Sequence, residues 1–170
     1  MNEQEEKEFK ETFPLLGVGP KILVALSPFL IIFGILNSIY CRIFRIPIDY
    51  HWLVMIGTIK IIFGISVFIY SEKIMRSAYN ESELITTKIY AYVRHPMYAI
   101  WGLTILPGIF CLLYSWLYFL IIPIYYILVK LFIRKEEKYL MNKFGKEYVN
   151  YKNEVNAFFP KLRKYKPKQK

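Results

Sequence analysis

Residues 99–133 read AIWGLTILPGIFCLLYSWLYFLIIPIYYILVKLFI, and Lys130 is the only charge among them. The run divides at Tyr114-Ser115 into two apolar halves, 99–113 and 116–133. With adjoining residues, each half makes a helix of roughly 26 Å at 1.5 Å per residue, just enough for a hydrocarbon core. The reading is a helical hairpin that crosses a bilayer and returns. Whatever precedes Ala99 must then meet whatever follows Ile133 on one face. Arg94-His95-Pro96-Met97-Tyr98 precedes the hairpin, and Glu136-Glu137 follows it. Ionisable groups where lipid gives way to water are costly and mark functional sites.

Two further apolar stretches lie upstream. One runs from about Ile22 to Tyr40 and contains Pro28; the other, from about Trp52 to Tyr70, is interrupted only by Lys60. With Met97–Leu113 and Trp116–Ile133 they predict an all-α polytopic membrane protein of about four transmembrane helices. Pro28, Pro107 and Pro123 predict local bends. The chain reads as one domain over 1–170. Its first two spans occupy 21–71, a catalytic core 72–160, and a basic tail, expected to be mobile, 161–170.

Composition supports lipid as the solvent. The chain is 55% hydrophobic and 18% aromatic, above the roughly 45–50% apolar share of soluble domains. A net charge of +10 suits either nucleic acid or a membrane surface, and position decides between them. Twelve of the 23 Lys and Arg follow Ile133, a juxtamembrane cluster that suits anionic headgroups. Apolar runs this long exclude a nucleic-acid-binding domain. Four spans put both termini and segment 71–96 on one side with 19 Lys and Arg, against Arg42 and Arg45 on the other. The richer side is therefore expected to be cytosolic, in a prokaryotic cell membrane or the endoplasmic reticulum. Tyr40, Tyr50, Trp52, Tyr114, Trp116 and Tyr118 are expected to form the opposite aromatic belt.

Segments flanking the hairpin are mixed. Asn80-Glu81-Ser82 reads as a turn, and Leu84–Val93 is rich in β-branched and aromatic residues. After Arg134, Leu140, Phe144, Tyr148, Tyr151 and Val155 recur at helical spacing, with Lys138, Lys146, Lys152 and Glu154 elsewhere on the wheel. Such a stripe either lies on the membrane or covers a pocket. Gly145 is expected to weaken or bend this helix. The acidic start, Met1 to Glu11, lacks the apolar core of a signal peptide. Cys41 and Cys111 are read as two buried thiols. Lys60 is a candidate functional or snorkelling lysine, Lys130 a snorkelling one, and His51 a solvated one. No metal site is expected, because His51 and His95 belong to opposite faces and no thiol pair exists.

The boundary residues themselves suggest a ligand. His95 donates and accepts, Tyr98 donates, Arg94 suits a carboxylate or phosphate, and Glu136 and Glu137 suit ammonium groups or ribose hydroxyls. That set fits a zwitterion. The plainer alternative is that Arg94 pairs with a Glu while His95 and Tyr98 anchor the interface.

The order of these residues adds more. Leu84-Ile85-Thr86-Thr87-Lys88-Ile89-Tyr90-Ala91-Tyr92-Val93-Arg94-His95-Pro96-Met97-Tyr98 resembles the core of the isoprenylcysteine carboxyl methyltransferase and phospholipid methyltransferase superfamily. Glu136-Glu137, Leu140, Phe144-Gly145, Glu147-Tyr148 and Tyr151 resemble its second half, and the likeness covers about residues 80–162. Lys88 and Ile100 stand where many members carry glycine, and a glycine follows instead at Gly102. The resemblance implies an integral membrane enzyme that uses S-adenosylmethionine at cytosolic segments. It implies cofactor contacts from Leu84, Ile85, Tyr90, His95, Pro96, Met97, Tyr98 and Glu137. Catalytic or substrate roles are implied for His95, Glu136 and Arg134, although Arg134 is offset by about one residue from the family's arginine. The expected acceptor is lipid-like or prenylated, most like an isoprenylcysteine carboxylate. Alternatives are a phospholipid amine N-methyltransferase and a non-catalytic lipid-binding membrane protein.

Overall fold

The computed structural model describes residues 18–81 and 83–166. The acidic start, Ser82 of the expected turn and the last four residues of the tail lie outside the described residues. Five helices carry the architecture: α1 (Gly19–Ile39), α2 (Cys41–Phe44), α3 (Tyr50–Glu81), α4 (Pro96–Leu112) and α5 (Ile121–Glu154). Three segments, Gly19–Ile39, Tyr50–Ser77 and Trp116–Glu154, are long and apolar enough to cross a bilayer. The third expected span, Pro96–Leu112, is shorter.

The prolines are accommodated in three ways. Pro28 cannot donate to Val24, and the Ser27 hydroxyl fills that gap by donating to the Val24 carbonyl at 2.8 Å, so α1 runs on through Pro28. Pro107 follows a π turn at Trp101–Ile105 inside α4, which widens the backbone where the proline ring would clash. Pro123 sits in the first turn of α5, after a 3-10 turn at Trp116–Leu120. Its missing N–H would have had no helical partner there, so the interior bend expected at Pro123 is replaced by a helix start.

The hairpin of α4 and α5 closes at Tyr114, which adopts a left-handed φ of +56°. Helix α3 packs on α4 through glycine. A Cβ on Gly57 would come within 2.7 Å of the Gly108 carbonyl oxygen, and one on Gly108 within 2.9 Å of the Gly57 carbonyl. Backbones touch at this crossing, as small residues allow between helices in lipid. Lys60, half-buried on α3, lies beside the same crossing, with its Cβ near Gly108. Helix α1 covers the other flank. Val18, Ile22 and Leu26 join Tyr98, Phe110, Tyr118, Ile121, Tyr125, Val129, Ile133 and Phe158 in the main core.

Loop 40–50 is tied to the hairpin turn. Ile46 N–H donates to the Tyr114 carbonyl at 3.3 Å. The Tyr114 hydroxyl donates to Ile48 at 3.0 Å and the Trp116 indole to Ile43 at 3.2 Å. Arg45 stacks 4.7 Å above the Tyr114 ring, and Tyr50 packs 5.3 Å from it. Tyr118, expected in the belt, is instead buried against Phe110. Cys41 is exposed at this end, so only Cys111 of the two thiols is buried. His51 is exposed and pairs with Asp49.

At the other end the fold departs further from expectation. Helix α3 continues to Glu81, past the start of the expected turn. Helix α5 breaks at Gly145, whose φ of +53° and ψ of −128° redirect the last turns. The stripe of Leu140, Phe144, Tyr148, Tyr151 and Val155 then packs against Leu84, Ala91 and Tyr165. It covers the strip before Arg94. The tail is not loose up to Lys166, because Tyr165 is buried and its N–H donates to Ala91 at 3.0 Å.

Candidate active site

The site is assembled from backbone inward. Residues 83–86 form no regular element, Thr87 is extended, Lys88–Ala91 form a 3-10 turn, and Pro96 occupies the first turn of α4. Proline is favoured there because its φ is already helical and its absent N–H costs nothing. Between these elements Arg94 and His95 donate their backbone N–H groups to Asn156 and Ala157 at 2.9 and 3.0 Å. The motif is thereby stitched to the chain beyond α5.

Side chains then converge as the hairpin requires. Arg94 Nη2 donates to Glu137 Oε1 at 2.7 Å. Its Nη1 donates to the Val155 carbonyl at 2.8 Å and also to that of Lys152. Those carbonyls end α5, so the guanidinium caps a helix C-terminus where a cation is favoured. Lys152 Nζ reaches the other Glu137 oxygen at 2.7 Å. His95 lies between the two carboxylates, with Nε2 3.5 Å from Glu137 and Nδ1 3.9 Å from Glu136. The Tyr98 hydroxyl donates to Glu136 Oε2 at 3.3 Å and accepts the Val18 N–H at 2.9 Å. Tyr125 donates its hydroxyl to the Tyr98 carbonyl at 2.9 Å. Gly102 permits this approach, since a Cβ there would lie 2.8 Å from the Tyr125 ring.

The two glutamates differ in what surrounds them. Glu137 is bracketed by Arg94, Lys152 and His95, and both its oxygens are engaged. Glu136 meets the longer contacts to Tyr98 and His95 and retains acceptor capacity. Among the described residues, buried polar atoms without a hydrogen-bond partner remain in this site at Arg94 Nε, His95 Nε2 and the Tyr148 hydroxyl. Native proteins satisfy such groups, and orphans gathered in one place point to a polar ligand.

Of the residues singled out in the sequence, Arg94, His95, Tyr98, Glu136 and Glu137 come together. Pro96 and Met97 are buried at the start of α4. Leu84 and Ile85 are half-buried in the strip before the 3-10 turn. Tyr90 is buried, its hydroxyl donating to Ser71 at 3.3 Å; burial, with Glu136 and Glu72 nearby, pushes that hydroxyl well above its usual pKa. Arg134 is exposed. It stands two residues before Glu136, and such positions do not share a helix face. Sequence reasoning missed Lys152, which it placed off the apolar stripe, and the Val18 and Tyr125 contacts to Tyr98. It also missed Phe158, whose ring lies 6.3 Å from His95.

An apolar hairpin thus brings an Arg-His-Pro motif against a paired glutamate. The model of the isoprenylcysteine carboxyl methyltransferase family matches residues 49–142, more than half of the chain, and the chain belongs to that family. The match takes in the Arg-His-Pro motif and both glutamates but ends before Tyr148 and Lys152. No curated protein matches the chain.

Proposed function

We propose that the protein transfers a methyl group from S-adenosylmethionine to a lipid-like acceptor at the membrane boundary. The acceptor proposed first is a prenylated cysteine carboxylate. The observation that carries this reading is the cluster of orphaned donors beside a glutamate with spare acceptor capacity. An amino-acid end group, with one carboxylate and one ammonium, fits that donor set. Arg94 Nε and the Tyr148 hydroxyl would hold the carboxylate, and Glu136 the ammonium. Met97, Pro96 and the 84–90 strip would face the remainder.

When bound, the cofactor supplies a methyl on an electrophilic sulfonium, so no covalent enzyme intermediate is required. The protein's task is alignment and exclusion of water. Phe158 and Tyr98 flank His95 with rings 6.3 and 6.1 Å away, which keeps the imidazole dry. A carboxylate acceptor is ionised at neutral pH and needs no base. An amine acceptor must first lose a proton, and Glu136, not saturated by cations, is placed to take it. That placement keeps the phospholipid amine reading as the second one. Arg134 is proposed for acceptor contact at the exposed rim, and Glu137 for shaping the pocket. Orientation is proposed from charge, with both termini cytosolic.

The test is incubation of purified protein with labelled S-adenosylmethionine and, separately, a farnesylated cysteine or phosphatidylethanolamine. Label in a base-labile ester supports the carboxylate acceptor, and label in the amine supports the second reading. No binding of S-adenosylmethionine to folded protein would return the chain to a non-catalytic lipid-binding role. Reporter fusions at Asp49 and after Lys170 should report opposite sides; matching signals would overturn the orientation.

A further inference from the structure

The segment from Phe158 to Lys166 is fastened rather than trailing. Lys161 N–H donates to Tyr92 and Tyr165 N–H to Ala91, both at 3.0 Å. Just upstream, Asn156 and Ala157 accept from Arg94 and His95. Residues 156–165 therefore clasp the strip 91–95 through main-chain bonds, with the Phe158 ring beside His95 and Tyr165 packed against Ala91.

The outer surface of this clasp is amphiphilic. Phe158 is buried with its ring 5.3 Å from Tyr126, and Phe159 lies 5.9 Å from the same ring. Tyr126 precedes the end of the apolar run at Ile133 by two turns, about 10 Å along the helix. Phe159, 54% exposed, is thus held beside the membrane-spanning part of α5. Leu162 is wholly exposed at 104%. Between and after them stand Lys161, Arg163, Lys164 and Lys166, with no acidic residue from Phe158 to Lys166. The Lys161 ammonium is held by the Glu154 carbonyl; Arg163, Lys164 and Lys166 are exposed. Exposed apolar side chains interleaved with cations at a bilayer edge match an interfacial lipid-binding segment.

We propose that Phe158–Lys166 is an anionic-lipid clasp. Phe159 and Leu162 enter the leaflet boundary, and Arg163, Lys164 and Lys166 bind negatively charged headgroups. Headgroup charge then holds the clasp closed and so secures the strip bearing Arg94 and His95. This goes beyond methyl transfer and does not depend on it.

The full chain is compared in nanodiscs of phosphatidylcholine alone and with added phosphatidylglycerol, by amide hydrogen exchange at Lys161, Tyr165, Arg94 and His95. Each basic residue near such a surface is worth roughly five- to sixfold in binding, so two contribute about thirtyfold. In anionic discs these amides should exchange about thirtyfold more slowly in the wild type than in Arg163→Gln/Lys164→Gln. In phosphatidylcholine the two proteins should exchange alike. Both substituted side chains are exposed, so folding is not at stake. The indole fluorescence added by Phe159→Trp should be quenched by lipids brominated along the acyl chain. Exchange indifferent to headgroup charge, as a protein partner on this surface would produce, overturns the proposal, and so does an absence of quenching in the Phe159→Trp variant.

Discussion

Arg94 and Glu137 meet at 2.7 Å with side chains only 9% and 12% exposed, although 43 residues separate them. The same guanidinium reaches the carbonyls that end α5. Arg94 is therefore spent on the fold at two of its nitrogens, as the plainer sequence reading held, and Nε is the nitrogen without a partner among the described residues. Lysine keeps the charge but not the fork. Arg94→Lys is expected to lose about 2–3 kcal/mol through broken charge-assisted hydrogen bonds. Thermal unfolding in detergent measures the loss, and amide exchange should show residues 146–155 opening first. A melting point equal to wild type would remove Arg94 from its role as linchpin.

The glutamates should separate into two phenotypes. Glu137 has cations on both oxygens, so Glu137→Gln leaves Arg94 and Lys152 short of a partner. It is expected to cost roughly 1.5–3 kcal/mol of stability and to weaken cofactor binding as a consequence. Glu136→Gln removes a carboxylate with spare capacity. Its melting point should stay near wild type while S-adenosylmethionine affinity falls about tenfold, the loss of one charge-assisted contact. Calorimetry beside thermal unfolding distinguishes the two. Unchanged affinity in Glu136→Gln would assign the ammonium to another group.

The crossing of α3 and α4 makes a packing prediction. Alanine at Gly57 places a methyl 2.7 Å from the Gly108 carbonyl oxygen, where backbone must move to admit it. Overpacking of this kind costs about 1–3 kcal/mol. Gly34 supplies the control, because a Cβ there meets none of the described residues within 4 Å. Gly57→Ala should unfold at lower denaturant than wild type and Gly34→Ala should not. Equal behaviour of the two variants would deny the backbone contact.

The hairpin and its paired motifs were legible because a bilayer imposes length on apolar runs, and antiparallel return then dictates which ends meet. His95, Tyr98, Glu136 and Glu137 follow from that alone. Lys152 did not, because the apolar stripe says nothing of which carboxylate a lysine beside it will reach, and the left-handed φ of Gly145 sets where the last turns carry it. The clasp was misread as a mobile tail for a related reason. Lys161 and Tyr165 hold it through backbone N–H groups, which leave no trace in side-chain pattern. Tyr125 and Gly102 form a third case, in which the missing Cβ matters only for a ring that arrives from another helix.

Lys88 shows a local mismatch that the sequence did carry. Many of the proteins it resembles have glycine there, and Lys88 adopts φ +54° in this chain. A Cβ in left-handed backbone costs about 1–2 kcal/mol, while glycine loses roughly 0.5–1 kcal/mol more entropy on folding. Lys88→Gly is therefore expected to stabilise the protein by about 0.5–1 kcal/mol, the smaller remainder of the two terms. Lys88→Ala tests the cause, because it removes the charge and keeps the Cβ; it should bring no gain. Lys88→Val, branched at Cβ, should be the least stable of the three. Thermal unfolding of the detergent-solubilised variants ranks them as glycine, alanine, valine. A glycine variant that melts at or below wild type would mean that the strip before the Arg-His-Pro motif takes another conformation at this residue.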